Sequence, residues 1–143
     1  MSQGLSGRLR QAVDALPLRE GVRVLEVGCG PGAAAREVAR RIGHGHVHAI
    51  DRSARAITQA VALCQKEIEA GRLSFEQVAV EDFLLAEGEQ RFDLAFAVRV
   101  GALDGRHPEL GRRALPRIAE ALTPNGLLLV GDGPQMTPIR LAR

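Results

Sequence analysis

Glu26, Gly28, Gly30 and Gly32 occupy alternate positions in the run Val24-Leu25-Glu26-Val27-Gly28-Cys29-Gly30-Pro31-Gly32, and Asp51 closes a second apolar run downstream. Glycines at that spacing let a ligand approach the backbone closely, because no Cβ stands in the way. A carboxylate two residues before the first glycine, in an otherwise apolar segment, needs a cationic partner or several donors when buried. Asp51, with two acceptor oxygens, can take both hydroxyls of a diol. The pattern alone also admits a dinucleotide. Gly28-x-Gly30-x-x-Ala33 satisfies a relaxed dinucleotide fingerprint, and Asp51 stands where a ribose-binding acid belongs. Two residues weigh against phosphate: a pyrophosphate would add negative charge beside Glu26, and Pro31 removes a backbone donor. Both favour a cationic, phosphate-free ligand.

Other residues offer less. His46 and His48 alternate along a strand and so share a face, where they could meet a metal, but no carboxylate or cysteine at ligand spacing completes a site, and no metal is expected. The segment Val98-Arg99-Val100-Gly101-Ala102-Leu103-Asp104-Gly105-Arg106-His107 carries a conceivable base, His107, and two conceivable anion contacts, Arg99 and Arg106. No catalytic dyad stands out, so no catalytic residue is assigned.

These residues need elements to hold them. Leu5, Leu9, Ala12, Val13 and Leu16 have the spacing of an amphipathic helix that Pro17 ends. Val22–Val27 reads as a strand, broken by the glycine run, and Ala33–Ile42 as a helix stopped by Gly43. His46–Ile50, ending at Asp51, is a second strand. Ile57, Val61, Cys64 and Ile68 mark one face of a helix that Gly71 closes. Leu73–Val80 and Phe92–Val98 are the third and fourth strands. A helix from about Pro108 to Leu122, bent by Pro116, leads through Asn125-Gly126 to a fifth strand, Leu127–Val130. The alternation predicts an α/β fold: one doubly wound, Rossmann-like domain over 1–143, parallel strands in the order 3-2-1-4-5 and helices on both faces.

Composition narrows the classes. The 45% hydrophobic and 25% charged residues suit a globular chain. A formal charge of +2, with the basic residues dispersed, gives no nucleic-acid or membrane-surface signature. There is no Trp or Tyr and only 4 Phe, so a base-stacking surface is not expected. No apolar stretch reaches membrane-spanning length, and no signal segment is read at the start. Two cysteines, Cys29 and Cys64, suit a reduced, cytoplasmic setting.

With its E-x-G-x-G-x-G spacing complete, Val24–Gly32 resembles the signature loop of the class I S-adenosylmethionine-dependent methyltransferases. His48-Ala49-Ile50-Asp51-Arg52-Ser53 resembles that family's second motif, Val80-Glu81-Asp82-Phe83 its third, and Phe92-Asp93-Leu94-Ala95-Phe96-Ala97 its fourth strand. The resemblance implies S-adenosylmethionine as cofactor and S-adenosylhomocysteine as product. It implies a binding set of Glu26, Gly28, Cys29, Gly30, Gly32, Asp51, Arg52, Glu81, Asp82, Phe83 and Ala97, in which Asp51 takes the ribose hydroxyls, an acid of the third motif the adenine amino group, and Phe83 the ring. It further implies in-line methyl transfer to a small-molecule acceptor, with catalysis mainly by positioning. Two other readings stand beside it: a silent S-adenosylmethionine-binding or scaffold subunit, and an NAD(P)-dependent reductase. Only Gly131–Arg143 follows the fifth strand, too little for the family's closing helix and antiparallel pair. The expectation is therefore a sheet lacking most of that pair. Its fifth-strand edge would be covered by the tail, by a second copy of the chain or by a partner subunit.

Overall fold

A computed structural model describes residues 5–142. Six strands form one sheet in the order β3-β2-β1-β4-β5-β6. They are β1 (Arg23–Val27), β2 (His46–Asp51), β3 (Leu73–Gln77), β4 (Phe92–Val98), β5 (Leu122–Gly131) and β6 (Met136–Ile139). The first five run parallel and β6 is antiparallel to β5. The helices are α1 (Gly7–Asp14), α2 (Ala33–Arg41), α3 (Ala54–Leu63), α4 (Gln65–Glu69) and α5 (Pro108–Ala121).

The strand sequences explain the two layers. In β1, Val24 joins a core with Val38 and Ala39 of α2 and with Val13 of α1. Leu25 and Val27 point the other way, into a core with Ala114 and Ile118 of α5. A parallel strand covered on both faces must be apolar on both, as these are. Glu26 breaks that rule and is nevertheless 3% exposed.

Several boundaries differ from those expected. The third strand ends at Gln77 rather than Val80, and Val80–Asp82 forms a turn of 3-10 helix. The expected single helix over Ile57–Ile68 is two, α3 and α4, divided at Cys64, whose Sγ donates to the Gly32 carbonyl at 3.7 Å. α5 runs unbroken through Pro116, which leaves the Arg112 carbonyl without its usual intrahelical donor. β5 begins at Leu122, not Leu127. Leu122 pairs with Phe92 and Leu127 with Leu94, so the four residues Thr123–Gly126 stand opposite Asp93 alone and the surplus is taken up within the strand.

The tail answers the question of the β5 edge. Met136–Ile139 pairs along Leu128–Gly131, so an antiparallel β5–β6 pair is present and this chain supplies the cover itself. The loop after β5 is tied to α1, where the Arg8 guanidinium donates to the Asp132 carbonyl at 2.9 Å.

Candidate functional site

The strand order reverses at β1, whose neighbours β2 and β4 lead in opposite directions across the sheet, and ligands of such sheets bind at the carboxyl ends there. A cleft of about 320 Å³ opens at that place. One end is walled by Gly28, Ile50, Asp51, Arg52, Val80 and Glu81. The other is walled by the segment that follows β4, including Arg99, Gly101, Arg106 and His107.

The glycine loop is closed by its own hydrogen bonds. The Gly28 and Cys29 N–H groups both donate to the Ile50 carbonyl, at 2.8 and 3.0 Å. The Gly30 N–H donates to Asp51 Oδ2 at 2.8 Å, and the Gly32 N–H to the Cys29 carbonyl at 3.2 Å. Pro31 has none. Every backbone donor from 28 to 32 is thus committed within the protein, so the loop itself offers no N–H to a pyrophosphate. Gly28 sits at φ +73°, and a Cβ there would come within 2.6 Å of Val100 Cγ2. The segment after β4 therefore closes over the loop only because residue 28 has no side chain.

Asp51 is a hub. Its Oδ1 accepts from the Ser53 N–H at 2.9 Å while Oδ2 holds Gly30. Ser53 itself caps α3, accepting from the Ala56 N–H at 3.1 Å, so Asp51 is free of that duty. Each carboxylate oxygen has a second lone pair for a ligand donor.

Glu26 lies on β1 next to the glycine loop. Among the described residues no group donates to its buried Oε1. Burial, and secondarily the negative charge of Asp51, push its carboxyl up to about 8. At neutral pH the free protein therefore holds Glu26 protonated, a state that an incoming cation would reverse. The neighbouring Cys29 thiol is likewise pushed upward, first by burial and then by Glu26 and Asp51, which makes it inert rather than nucleophilic.

The remaining expected residues divide. Gly28, Asp51, Arg52 and Glu81 line the cleft. Gly30, through its bond to Asp51, and Gly32 shape its floor. Gly32, at φ +95°, brings α2 against α3, since a Cβ would lie 2.9 Å from that of Ala60. Asp82 turns away, within 3.5 Å of Arg113. Ala97 is fully buried in the core, and Phe83 is buried beside His48, with ring centroids 5.9 Å apart, outside the cleft. The apolar wall that Phe83 was expected to give is made by Ile50, Val78 and Val80.

His46 and His48 do share a face, but Ser74 Oγ lies between them, 2.8 Å from His46 Nε2 and 2.7 Å from His48 Nδ1. His46 Nδ1 meets the Gly71 carbonyl and His48 Nε2 meets Glu76, both at 2.8 Å. No group suited to a metal ion occurs among the described residues.

The pattern of a methyltransferase domain matches residues 24–126, most of the chain. This chain belongs to the methyltransferase domain family. It is 32% identical over 113 residues to an O-methyltransferase, resE, of Aspergillus sclerotiorum, covering 78% of this chain and 40% of that protein. It is 31% identical over 126 residues to the trans-aconitate 2-methyltransferase of Pseudomonas paraeruginosa, covering 85% and 41%. A solved methyltransferase from Thiobacillus denitrificans, in complex with S-adenosylhomocysteine, superposes with a TM-score of 0.65 at 24% identity, over 90% of this chain and 49% of its own. The chain thus spans less than half the length of each. No helix of the described residues is long and apolar enough to cross a membrane.

Within this methyltransferase domain, sequence reasoning passed over the cleft-lining Ile50, Val78, Val80 and Leu110. Only their position at strand ends and loop starts could have flagged them, because aliphatic residues otherwise read as core.

Proposed function

We propose that the cleft binds S-adenosylmethionine and that the domain transfers its methyl group to a small-molecule acceptor. The observation that carries this reading is Glu26, a buried carboxyl with an unpartnered oxygen beside a loop that offers no phosphate donors. An ammonium group satisfies that oxygen and lets the carboxyl ionise, whereas a pyrophosphate would oppose that ionisation. The nicotinamide-dependent alternative therefore loses its footing.

The residues present fit the cofactor. Glu26 would take the ammonium, Asp51 the ribose hydroxyls, Glu81 the adenine amino group, and Ile50 and Val80 the faces of the ring. When bound, the cofactor supplies an electrophilic methyl group on a sulfonium. The protein's own work is then to position the acceptor and exclude water, with a general base needed only for an acceptor that must lose a proton. The segment after β4, packed over Gly28 through Val100, is the part of the chain placed to do this.

Calorimetric titration with S-adenosylmethionine, S-adenosylhomocysteine and NAD(H) tests the reading. Micromolar binding of the first two is expected, with Asp51→Ala about ten- to a hundred-fold weaker, as befits the loss of a charged acceptor. Preference for NAD(H), or silence toward all, would overturn it.

A further inference from the structure

The two ends of the cleft differ in charge. Asp51 and Glu81, the acids that line it, both stand at the end assigned to the nucleoside, with Arg52 as the one cation beside them. At the other end, the charged and titratable residues of the lining are Arg99, Arg106 and His107, set among aliphatic residues and glycine, and the two arginines also wall an adjoining cavity with Asp104 and Asp132.

The two arginines are not equivalent. Arg106 is committed: its Nε donates to both Asp104 oxygens, at 3.1 and 2.9 Å, and its Nη2 donates to the Arg99 carbonyl at 2.9 Å. It is a clamp on the loop. Arg99 is fixed at both backbone groups, because its own N–H donates to the Gly131 carbonyl at 2.8 Å. Its guanidinium makes no hydrogen bond or ion pair among the described residues, and it stands exposed at the cleft wall. Arg99 is also the only non-glycine among the described residues with positive φ, at +58°. Glycine would hold that backbone without strain, so the fold alone gives no reason for an arginine there. The side chain has a use the backbone does not explain.

Resting on the methyl-transfer reading, we infer that the acceptor is a small carboxylic acid anchored by its carboxylate on Arg99. A guanidinium presents paired N–H donors that match the two oxygens of a carboxylate, and a neutral amide of the same shape forfeits the charge-assisted part of that contact. Arg106 acts as a positioning residue, holding the Arg99 backbone through its carbonyl. His107 packs its ring over Gly101, where a Cβ would lie 2.5 Å from His107 Cδ2, and so narrows the same end of the cleft.

The test uses benzoate and succinate, each against its amide, titrated into the free and the S-adenosylhomocysteine-loaded protein while the amide resonances of Arg99–Ala102 are followed by NMR. Both acids should shift these resonances with at least tenfold higher affinity than their amides. Arg99→Gly should abolish that preference while raising or preserving Tm and leaving S-adenosylhomocysteine affinity within about twofold. Equal binding of acids and amides, binding of neither, or an Arg99→Gly protein that binds acids as well as the wild type would overturn the inference. If S-adenosylhomocysteine itself fails to bind, the methyl-transfer reading falls. The acid–amide comparison on the free protein still decides whether Arg99 holds a carboxylate.

Discussion

Among single residues, Glu26 carries a thermodynamic signature that falls within the ordinary pH range. Its carboxyl keeps its proton in the folded chain to about pH 8, whereas in the unfolded chain it ionises near the ordinary value of 4.5. Between those values the folded state binds the extra proton. Raising the pH then draws the equilibrium toward the unfolded state, by up to about 1.4 kcal/mol per unit. Below that window the effect is absent, and above it the loss is complete. Urea denaturation of the ligand-free protein should show Glu26→Gln more stable than wild type at pH 8, with the two converging at pH 4; parallel pH profiles would contradict this. That Glu26 needs a cation was legible in the sequence, because a carboxylate in an aliphatic strand has few ways to be satisfied. The placement of Phe83 was not. A phenylalanine after a third-motif acid suits an adenine pocket or a core equally well, and here it packs in the core with Phe92, both rings near His48.

At the scale of elements, the contacts that hold the loop come from α3 and from β2. Gly32→Ala should bring α2 and α3 into collision at Ala60 and impose a left-handed backbone on alanine, lowering stability by about 2 kcal/mol and loosening the glycine loop. Thermal melts with and without S-adenosylhomocysteine would register both effects. A second prediction concerns the edge pair β2–β3. The chain from the Gly71 carbonyl through His46, Ser74 and His48 to Glu76 has four links, and its two ends are acceptors. Two neutral imidazoles and a hydroxyl bring three hydrogens, so closing every link takes one more proton. Ser74→Ala removes both middle links and should cost about 1–3 kcal/mol in denaturant titrations. The order of elements was readable from the alternation of aliphatic runs and glycine stops. The boundaries that slipped were set by tertiary contacts. Cys64 breaks its helix where it meets Gly32, and Leu122 joins a strand because Phe92 offers it a pairing partner.

At the scale of the whole molecule, the cleft exists because the sheet changes direction at β1 and because the segments after β2, β3 and β4 rise on both sides of the resulting switch point to line it. The doubly wound parallel layout and a ligand site at its switch point followed from the alternation of strands and helices, whereas the order 3-2-1-4-5 is one of two that such connectivity allows. The tail was already one of the expected covers of the fifth-strand edge, and the pairing of Met136–Ile139 with β5 selects it over a second copy or a partner subunit. A chain ending at Gly133 would expose the aliphatic β5 edge along Leu128–Val130. It should lose thermal stability and associate at micromolar concentration. Light scattering that finds such a chain monomeric, with an unchanged melt, would show that β6 contributes nothing to the sheet.

In the methyl-transfer reading we propose, the buried Glu26 carboxyl receives a cationic group of the cofactor. Titration of S-adenosylhomocysteine at pH 7, in two buffers of different ionisation enthalpy, measures it directly. With Glu26 pushed up to about 8 in the free protein, ionisation against the bound ammonium should release most of a proton per ligand, and Glu26→Gln should release none and bind more weakly. Binding with no proton released by the wild type, or equal affinity for the variant, would contradict the account.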